Sequence, residues 1–183
     1  MKVLFILLAA FLSLGAIAQE FTLNKKFGVG GGYGFNKPMW RNKFDRRADG
    51  KSVMSLYGRY QHNPYWGFVF GYTRYEWQNT PTAARIYDVM GLYRFSGNER
   101  GSFLAGLGIG AVDIANYNID ENLKAGLRAR VGYEYALTSR LFTSLNVEYL
   151  FVGKMIGERR DLQEEGEFNA LSAQIHLSYF FGK

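Results

Sequence analysis

In the segment Phe27-Gly28-Val29-Gly30-Gly31-Gly32-Tyr33-Gly34-Phe35 every even position is glycine, while the odd positions carry Phe, Val, Gly, Tyr and Phe. Successive side chains of a strand point to opposite sides, so a period of two makes two unlike faces. One face here is apolar and aromatic, and the other is nearly bare. Glycine weakens a strand unless something needs the space it leaves. A narrow closed barrel has that need, because its lumen takes the small face and an apolar solvent takes the bulky one. The pattern points to strands that cross a membrane.

The N-terminus sets the compartment. Met1-Lys2 precedes an apolar run from Val3 to Ile17, and Ala16-Ile17-Ala18 stands before Gln19. A positive start, a short apolar stretch and a small-x-small site make a Sec-type signal peptide over residues 1–18, which leaves residues 19–183 as the mature chain. The run is shorter than the roughly 20 residues a spanning helix needs. The sequence contains no cysteine, so it has neither disulfides nor thiolate metal sites and no lipid-modified N-terminal cysteine. The length of 183 residues suits one domain. Aromatics at 17% with 22 glycines and only 3 prolines favour many short strands over a helical bundle.

Alternation recurs over residues 26–35, 52–61, 65–74, 85–95, 103–112, 124–135, 141–151 and 171–181. Each segment is about ten residues, the length of a tilted spanning strand. In the third, Trp66, Phe68, Phe70 and Tyr72 oppose Gly67, Val69, Gly71 and Thr73; in the sixth, Ala125, Leu127, Ala129, Val131, Tyr133 and Tyr135 oppose Lys124, Gly126, Arg128, Arg130, Gly132 and Glu134. The links near His62-Asn63-Pro64, Ser96 to Gly101 and Thr138-Ser139-Arg140 are short and turn-like. Those at Asn36 to Lys51, Trp77 to Ala84, Asp113 to Leu123 and Gly153 to Asn169 are mostly longer and more polar. Short turns at one end, longer loops at the other and aromatics near strand ends fit an eight-stranded antiparallel up-and-down transmembrane β-barrel with both termini in the periplasm.

With its signal peptide, its eight alternating strands and the ending Tyr179-Phe180-Phe181, the chain resembles the small outer-membrane proteins of the OmpA transmembrane-domain and OmpX type. The resemblance covers the whole mature chain and implies a place in the bacterial outer membrane after Sec export, amid lipid and lipopolysaccharide. It also implies that Tyr179 and Phe181 present the aromatic C-terminal signal to the barrel-assembly machinery, although Gly182 and Lys183 follow the last aromatic. No peptidoglycan-binding segment follows the strands. A soluble sandwich or lipocalin-like barrel also alternates, but it places its apolar face inside. Here the opposite face carries Arg59, Asp88, Arg94, Lys124, Arg128, Arg130, Glu134, Glu148 and His176, which would ruin a soluble core.

Those nine residues form the expected lumen charge network, and charges in so narrow an interior must pair. The plain expectation is a polar plug, since eight strands enclose room only for side chains. Glycines of the first, third and fifth segments raise the alternative of a small channel or a carrier for a small or apolar ligand. A third reading is a lipid A-modifying acyl hydrolase, because His176 and Ser178 share a face with Glu134 and Glu148 and resemble the His, Ser and Glu of the outer-membrane lipid A deacylases. The pair faces inward by this register and no Glu follows it, so no catalytic residue and no cofactor are assigned. Gly106 to Ala111 matches a dinucleotide pattern, but no helix follows it.

The first long loop, with Lys37, Arg41, Lys43, Arg46 and Arg47, is a candidate anion-binding loop. Export makes lipopolysaccharide phosphates its nearer anion and leaves no role for nucleic acid. Asp113, Asp120 and Glu121 match no calcium-loop spacing, and no metal is expected. The reading is thus a non-enzymatic outer-membrane barrel acting structurally or through its extracellular loops, with a protein partner left open.

Overall fold

The computed structural model describes residues 23–39, 49–78, 83–96, 100–115, 123–159 and 162–182. Eight strands follow in chain order: β1 (Lys26–Pro38), β2 (Asp49–Gln61), β3 (Trp66–Gln78), β4 (Ala83–Arg94), β5 (Gly101–Ala115), β6 (Leu123–Ala136), β7 (Leu141–Arg159) and β8 (Leu162–Phe180). Each pairs antiparallel with the next, and β8 closes on β1. Closure leaves no free edge along the barrel wall, the one way a sheet satisfies its backbone in lipid. The signal peptide expected over residues 1–18 lies outside the described residues.

The tight links are built from side chains that cap the backbone. Asn63 Oδ1 accepts the backbone N–H groups of Tyr65 at 2.9 Å and Trp66 at 2.8 Å. Thr138 Oγ1 does the same for Arg140 at 3.2 Å and Leu141 at 3.0 Å. Short Asn and Thr side chains mimic a backbone acceptor, which is why such residues sit in turns.

The opposite end differs from the sequence expectation. All four connections there are shorter than Asn36–Lys51, Trp77–Ala84, Asp113–Leu123 and Gly153–Asn169 imply, because the strands continue into them. The segment expected as a fourth loop is instead the upper part of a β7–β8 hairpin, its register shifting between Val152 and Lys154 and resuming with Lys154 opposite Glu167. Beyond the membrane no face has to be apolar, so ladder hydrogen bonds sustain a strand whose sequence does not alternate. Lys37, read as a loop residue, likewise lies within β1 on its outward, exposed face.

Side chains sort by parity, as the alternation requires. Leu107 is 75% exposed and Ile109 67%, alongside Phe27, Phe35, Leu127 and Ile175 on other strands. A continuous belt of exposed large apolar residues needs an apolar solvent. Aromatic contacts border it: Phe27–Tyr60 at 4.6 Å, Trp66–Tyr93 at 4.8 Å and Phe103–Tyr133 at 5.1 Å towards the turns, and Tyr72–Tyr87 at 5.2 Å towards the long-loop end. These are the girdles of a spanning barrel.

The interior is layered. Val53, Tyr75, Trp77, Ile86, Val112, Leu150 and Val152 form an apolar cluster at the long-loop end. Leu23, Ala136, Phe142 and Phe180 form another at the turn end. Between them lie the buried charges.

Candidate functional site in the barrel lumen

Four arginines and three carboxylates meet inside the barrel in two groups. Towards the turns, Arg59 from β2 binds Glu134 from β6, and Arg94 from β4 approaches the same carboxylate with Nε 3.2 Å from Oε1. Arg59 also donates to Gln61 Oε1 at 2.9 Å and 3.2 Å, and Arg94 to Ser102 Oγ at 3.0 Å. In the middle of the lumen Arg128 is the hub. Its Nη1 donates to Asp88 Oδ2 at 2.9 Å, and its Nε to Glu148 Oε2 at 3.0 Å while Nη2 binds that same oxygen. Arg130 Nε lies 2.6 Å from Glu148 Oε1, and Gln174 donates to Oε2 at 2.9 Å.

Register explains these meetings. Arg130 and Glu148 are direct cross-strand partners on β6 and β7, and Glu148 faces Ser172 on β8. Asp88 and Arg128 meet diagonally across β5, where Asp88 pairs with Gly110 and Arg128 with Gly108. The four guanidinium groups outnumber the three carboxylates by one charge. Aromatic faces offset part of that excess: Phe180 lies 5.1 Å from the Arg59 guanidinium, and Phe142 and Tyr57 lie 6.0 Å from those of Arg94 and Arg130. Each such contact contributes about 0.5–2 kcal/mol, more where water is excluded.

Eight of the nine expected network residues therefore gather in these groups or beside them. His176 stands next to the central group, its Nε2 3.6 Å from Glu148 Oε1, too far for a hydrogen bond. Lys124 is on the inward face but half-buried at the long-loop end, opposite Val112 and away from the Arg128 hub. The alternation puts Ser55, Tyr57, Thr73, Gln174 and Ser178 on the inward face, but it does not show that they bond to one another as a neutral scaffold. Ser55 Oγ donates to Gln174 Oε1 at 2.7 Å and lies 3.1 Å from Thr73 Oγ1, and Tyr57 Oη meets Ser178 Oγ at 2.8 Å. Inward parity together with a hydroxyl or amide side chain was the signal available for them.

The glycine strands do not leave open space at the positions that define the network. A Cβ on Gly30 would lie 2.6 Å from the Tyr57 ring, and one on Gly32 would lie 2.7 Å from the His176 ring. These glycines exist so that large neighbours can lie flat across them. Among the described residues, concavities lie outside on the apolar face. One of about 1050 Å³ winds between the ridges Leu56–Tyr72–Tyr87 and Phe70–Val89–Ile109, and two smaller ones run below it past Leu107 and past Phe103.

His176 and Ser178 point into the packed lumen, and the hydroxyl of Ser178 is engaged by Tyr57. Among the described residues no group of His, Asp or Glu could hold a metal ion. Arg41, Lys43, Arg46 and Arg47 lie outside the described residues, as do Asp120 and Glu121. Tyr179 and Phe181 meet edge-to-face at 5.4 Å on the outward side, and the Phe181 N–H donates to the Phe27 carbonyl at 2.7 Å.

Comparison with known proteins agrees with this architecture. A family model described as the outer membrane protein beta-barrel domain matches residues 4–181. No curated protein matches the sequence. Among solved structures, Neisserial surface protein A superposes with a TM-score of 0.67 at 15% identity, over 85% of this chain and 97% of that one. The outer membrane protein OprG of Pseudomonas aeruginosa gives 0.62 at 15% identity over 87% and 97%. The N-terminal β-barrel domain of OprF from the same organism gives 0.57 at 12% identity over 86% and 98%. At such identities the likeness is one of fold.

Proposed function

We propose that this chain, which belongs to the outer membrane protein beta-barrel family and resides in the outer membrane, works as a closed, non-conducting and non-enzymatic platform. Its task is to hold the long-loop end at the cell surface for interaction. The observation that carries the reading is the packing of the lumen: two salt-bridged layers, each built on one carboxylate shared by two arginines, lie between apolar clusters at both ends. An ion or solute would have to break pairs in a low-dielectric interior, where removing one partner costs about 3–5 kcal/mol. The interacting surface comprises the connection carrying Arg41, Lys43, Arg46 and Arg47 and the β7–β8 hairpin, which runs to Arg159 and Leu162. Tyr179 and Phe181 are the residues offered to the assembly machinery.

Planar-bilayer recording of the refolded protein tests this. The expected result is no channel steps at neutral pH. Regular steps from the wild type, abolished by Gly108→Leu in a protein that still folds, would overturn the platform reading in favour of a pore. Removing residues 155–165 from the hairpin should leave the heat-modifiable gel shift of the folded barrel intact.

A further inference from the structure

Two arginines on the lipid-facing side of the barrel have no part in the lumen network. Arg74 on β3 and Arg85 on β4 are direct cross-strand partners on the outward face. Their side chains are 47% and 49% exposed. Like charges placed directly opposite on one face of a sheet repel. Glu76 lies 3.0 Å from Arg74 and Asp113 lies 3.6 Å from Arg85, but Glu76 is shared with Lys51 at 3.3 Å. Among the described side chains, four cations, with Lys37 exposed on neighbouring β1, face two carboxylates along one side of the rim. The surplus is two positive charges.

The depth of this cluster is set by what lies beneath it. The outward row Met54–Arg74–Arg85–Asp113 sits one step above the row Leu56–Tyr72–Tyr87. Tyr72 and Tyr87 form the ring pair of the upper girdle, and such rings settle at the headgroup level of a membrane. The arginines are therefore placed where lipid phosphates are. That tyrosine row is also the upper wall of the 1050 Å³ furrow, whose apolar floor and walls continue past Ile109 and Ala125 towards Phe151. A second furrow runs alongside it beyond the Val89–Ile109–Leu127 ridge. The cationic forks stand over the first furrow, and the second adjoins it one ridge further down.

We propose that this face is a binding site for a phosphorylated, multi-acyl lipid of the extracellular leaflet, of the lipid A chemical class. Arg74 and Arg85 take its phosphate, with Lys51 and Lys37 beside them, and the furrows between the outward ridges take its acyl chains. A guanidinium presents a planar fork that matches phosphate oxygens, so an anion between the two arginines turns their repulsion into a shared charge-assisted contact. Anionic headgroups attract such clusters strongly, but a lone charge belt would not distinguish lipids by their chains. The furrows supply that distinction.

The test is lipid retention by native mass spectrometry, with the protein folded in zwitterionic micelles and titrated with bisphosphorylated lipid A, phosphatidylglycerol or inorganic pyrophosphate. The wild type should retain one lipid A. It should hold phosphatidylglycerol more weakly and pyrophosphate not at all. Arg74→Gln with Arg85→Gln should weaken lipid A retention by roughly tenfold or more, equivalent to about 1.4 kcal/mol. Ala125→Phe, which fills the furrow without touching charge, should weaken lipid A more than phosphatidylglycerol. Removing two cations at the turn end with Lys25→Gln and Arg140→Gln should change nothing. Both are exposed, so the folded gel shift should survive in every variant. Equal retention by the Arg74/Arg85 double variant, equal retention of phosphatidylglycerol, or tight binding of pyrophosphate alone would each overturn the site.

Discussion

Neutralising Glu148 is the sharpest probe of how the lumen is held. Its side chain is fully buried and receives Arg128, Arg130 and Gln174, so Glu148→Gln keeps the shape while deleting the charge that two guanidinium groups share. The lumen then holds four arginines against two carboxylates. Arg128 keeps Asp88 at 2.9 Å, but Arg130 loses its described ion pair and keeps only the Tyr57 ring at 6.0 Å. At an effective dielectric of about 20, one pair about 4 Å apart is worth about 4 kcal/mol. Two pairs are lost, and part of the loss is returned because the carboxylate no longer has to be desolvated. Breaking a buried pair by removing one partner accordingly costs about 3–5 kcal/mol. Arg130→Met should cost less, about 1.5–3 kcal/mol, because Glu148 remains bound by Arg128 and the lumen becomes neutral. The double variant should recover about 1–3 kcal/mol relative to the sum of the single effects. Urea unfolding in lipid vesicles, followed by tryptophan fluorescence, measures all three. A Glu148→Gln barrel within about 1 kcal/mol of wild type, or strictly additive single effects, would refute the claim that this carboxylate neutralises the lumen.

The remaining expectations concern faces and fillings. Leu177→Arg, on the outward face of β8, should destabilise by about 2–4 kcal/mol in the same assay, whereas Leu123→Arg at the rim should cost about 0–1 kcal/mol; equal costs would contradict the depth assignment. Gly30→Leu should lower stability by about 1–3 kcal/mol through collision with the Tyr57 ring, and a neutral result would mean that space is open there. Phe180→Ala should cost about 3–5 kcal/mol by opening the apolar seal it forms with Phe142, whose ring centroid lies 5.3 Å away; an unchanged unfolding midpoint would show that the seal does not hold the turn end. Glu76→Gln, at an exposed rim pair, should change stability by less than about 1 kcal/mol, and a larger effect would make the rim part of the fold's support.

The faces of all eight strands could be read from parity because lipid on one side and a filled lumen on the other leave no tolerance for a one-residue slip. Gly30 and Gly32 could be read as small, but their partners could not. That Tyr57 and His176 lie across them depends on the β1–β2 and β1–β8 registers, which one strand's sequence does not contain. The same limit hid the split of the charges. Arg59, Arg94 and Glu134 look equivalent to Arg128, Arg130 and Glu148 in the chain, yet tilt and stagger bring them together in separate layers. The β7–β8 hairpin above Val152 was missed because alternation reports solvent contrast, and that contrast ends at the membrane surface. Arg74 and Arg85 carried a legible sign that went unused. Each is a charge on the apolar parity of its strand, one step beyond a tyrosine.

The two sets of arginines divide the molecule's chemistry between inside and outside. Arg59, Arg94, Arg128 and Arg130 are matched by carboxylates that other strands supply, so their energy goes into closing the barrel on itself. An interior in which every arginine already meets a carboxylate has little affinity left for a solute, and moving any one charge exposes its partner. Arg74 and Arg85 are the reverse case: adjacent, half-exposed, each with a single rim carboxylate, on a side of the rim where the described cations outnumber the described carboxylates by two. Half-exposed arginines whose single carboxylate partners leave donors over are where a ligand can add free energy to the bonds already made. Binding by this barrel should therefore depend on substitutions of the rim and outer furrow and be nearly indifferent to those in the lumen, whereas unfolding should show the opposite dependence. A lumen variant such as Arg130→Met that lowers stability yet leaves lipid retention unchanged, set beside an Arg74/Arg85 variant that does the reverse, is the pattern this division requires.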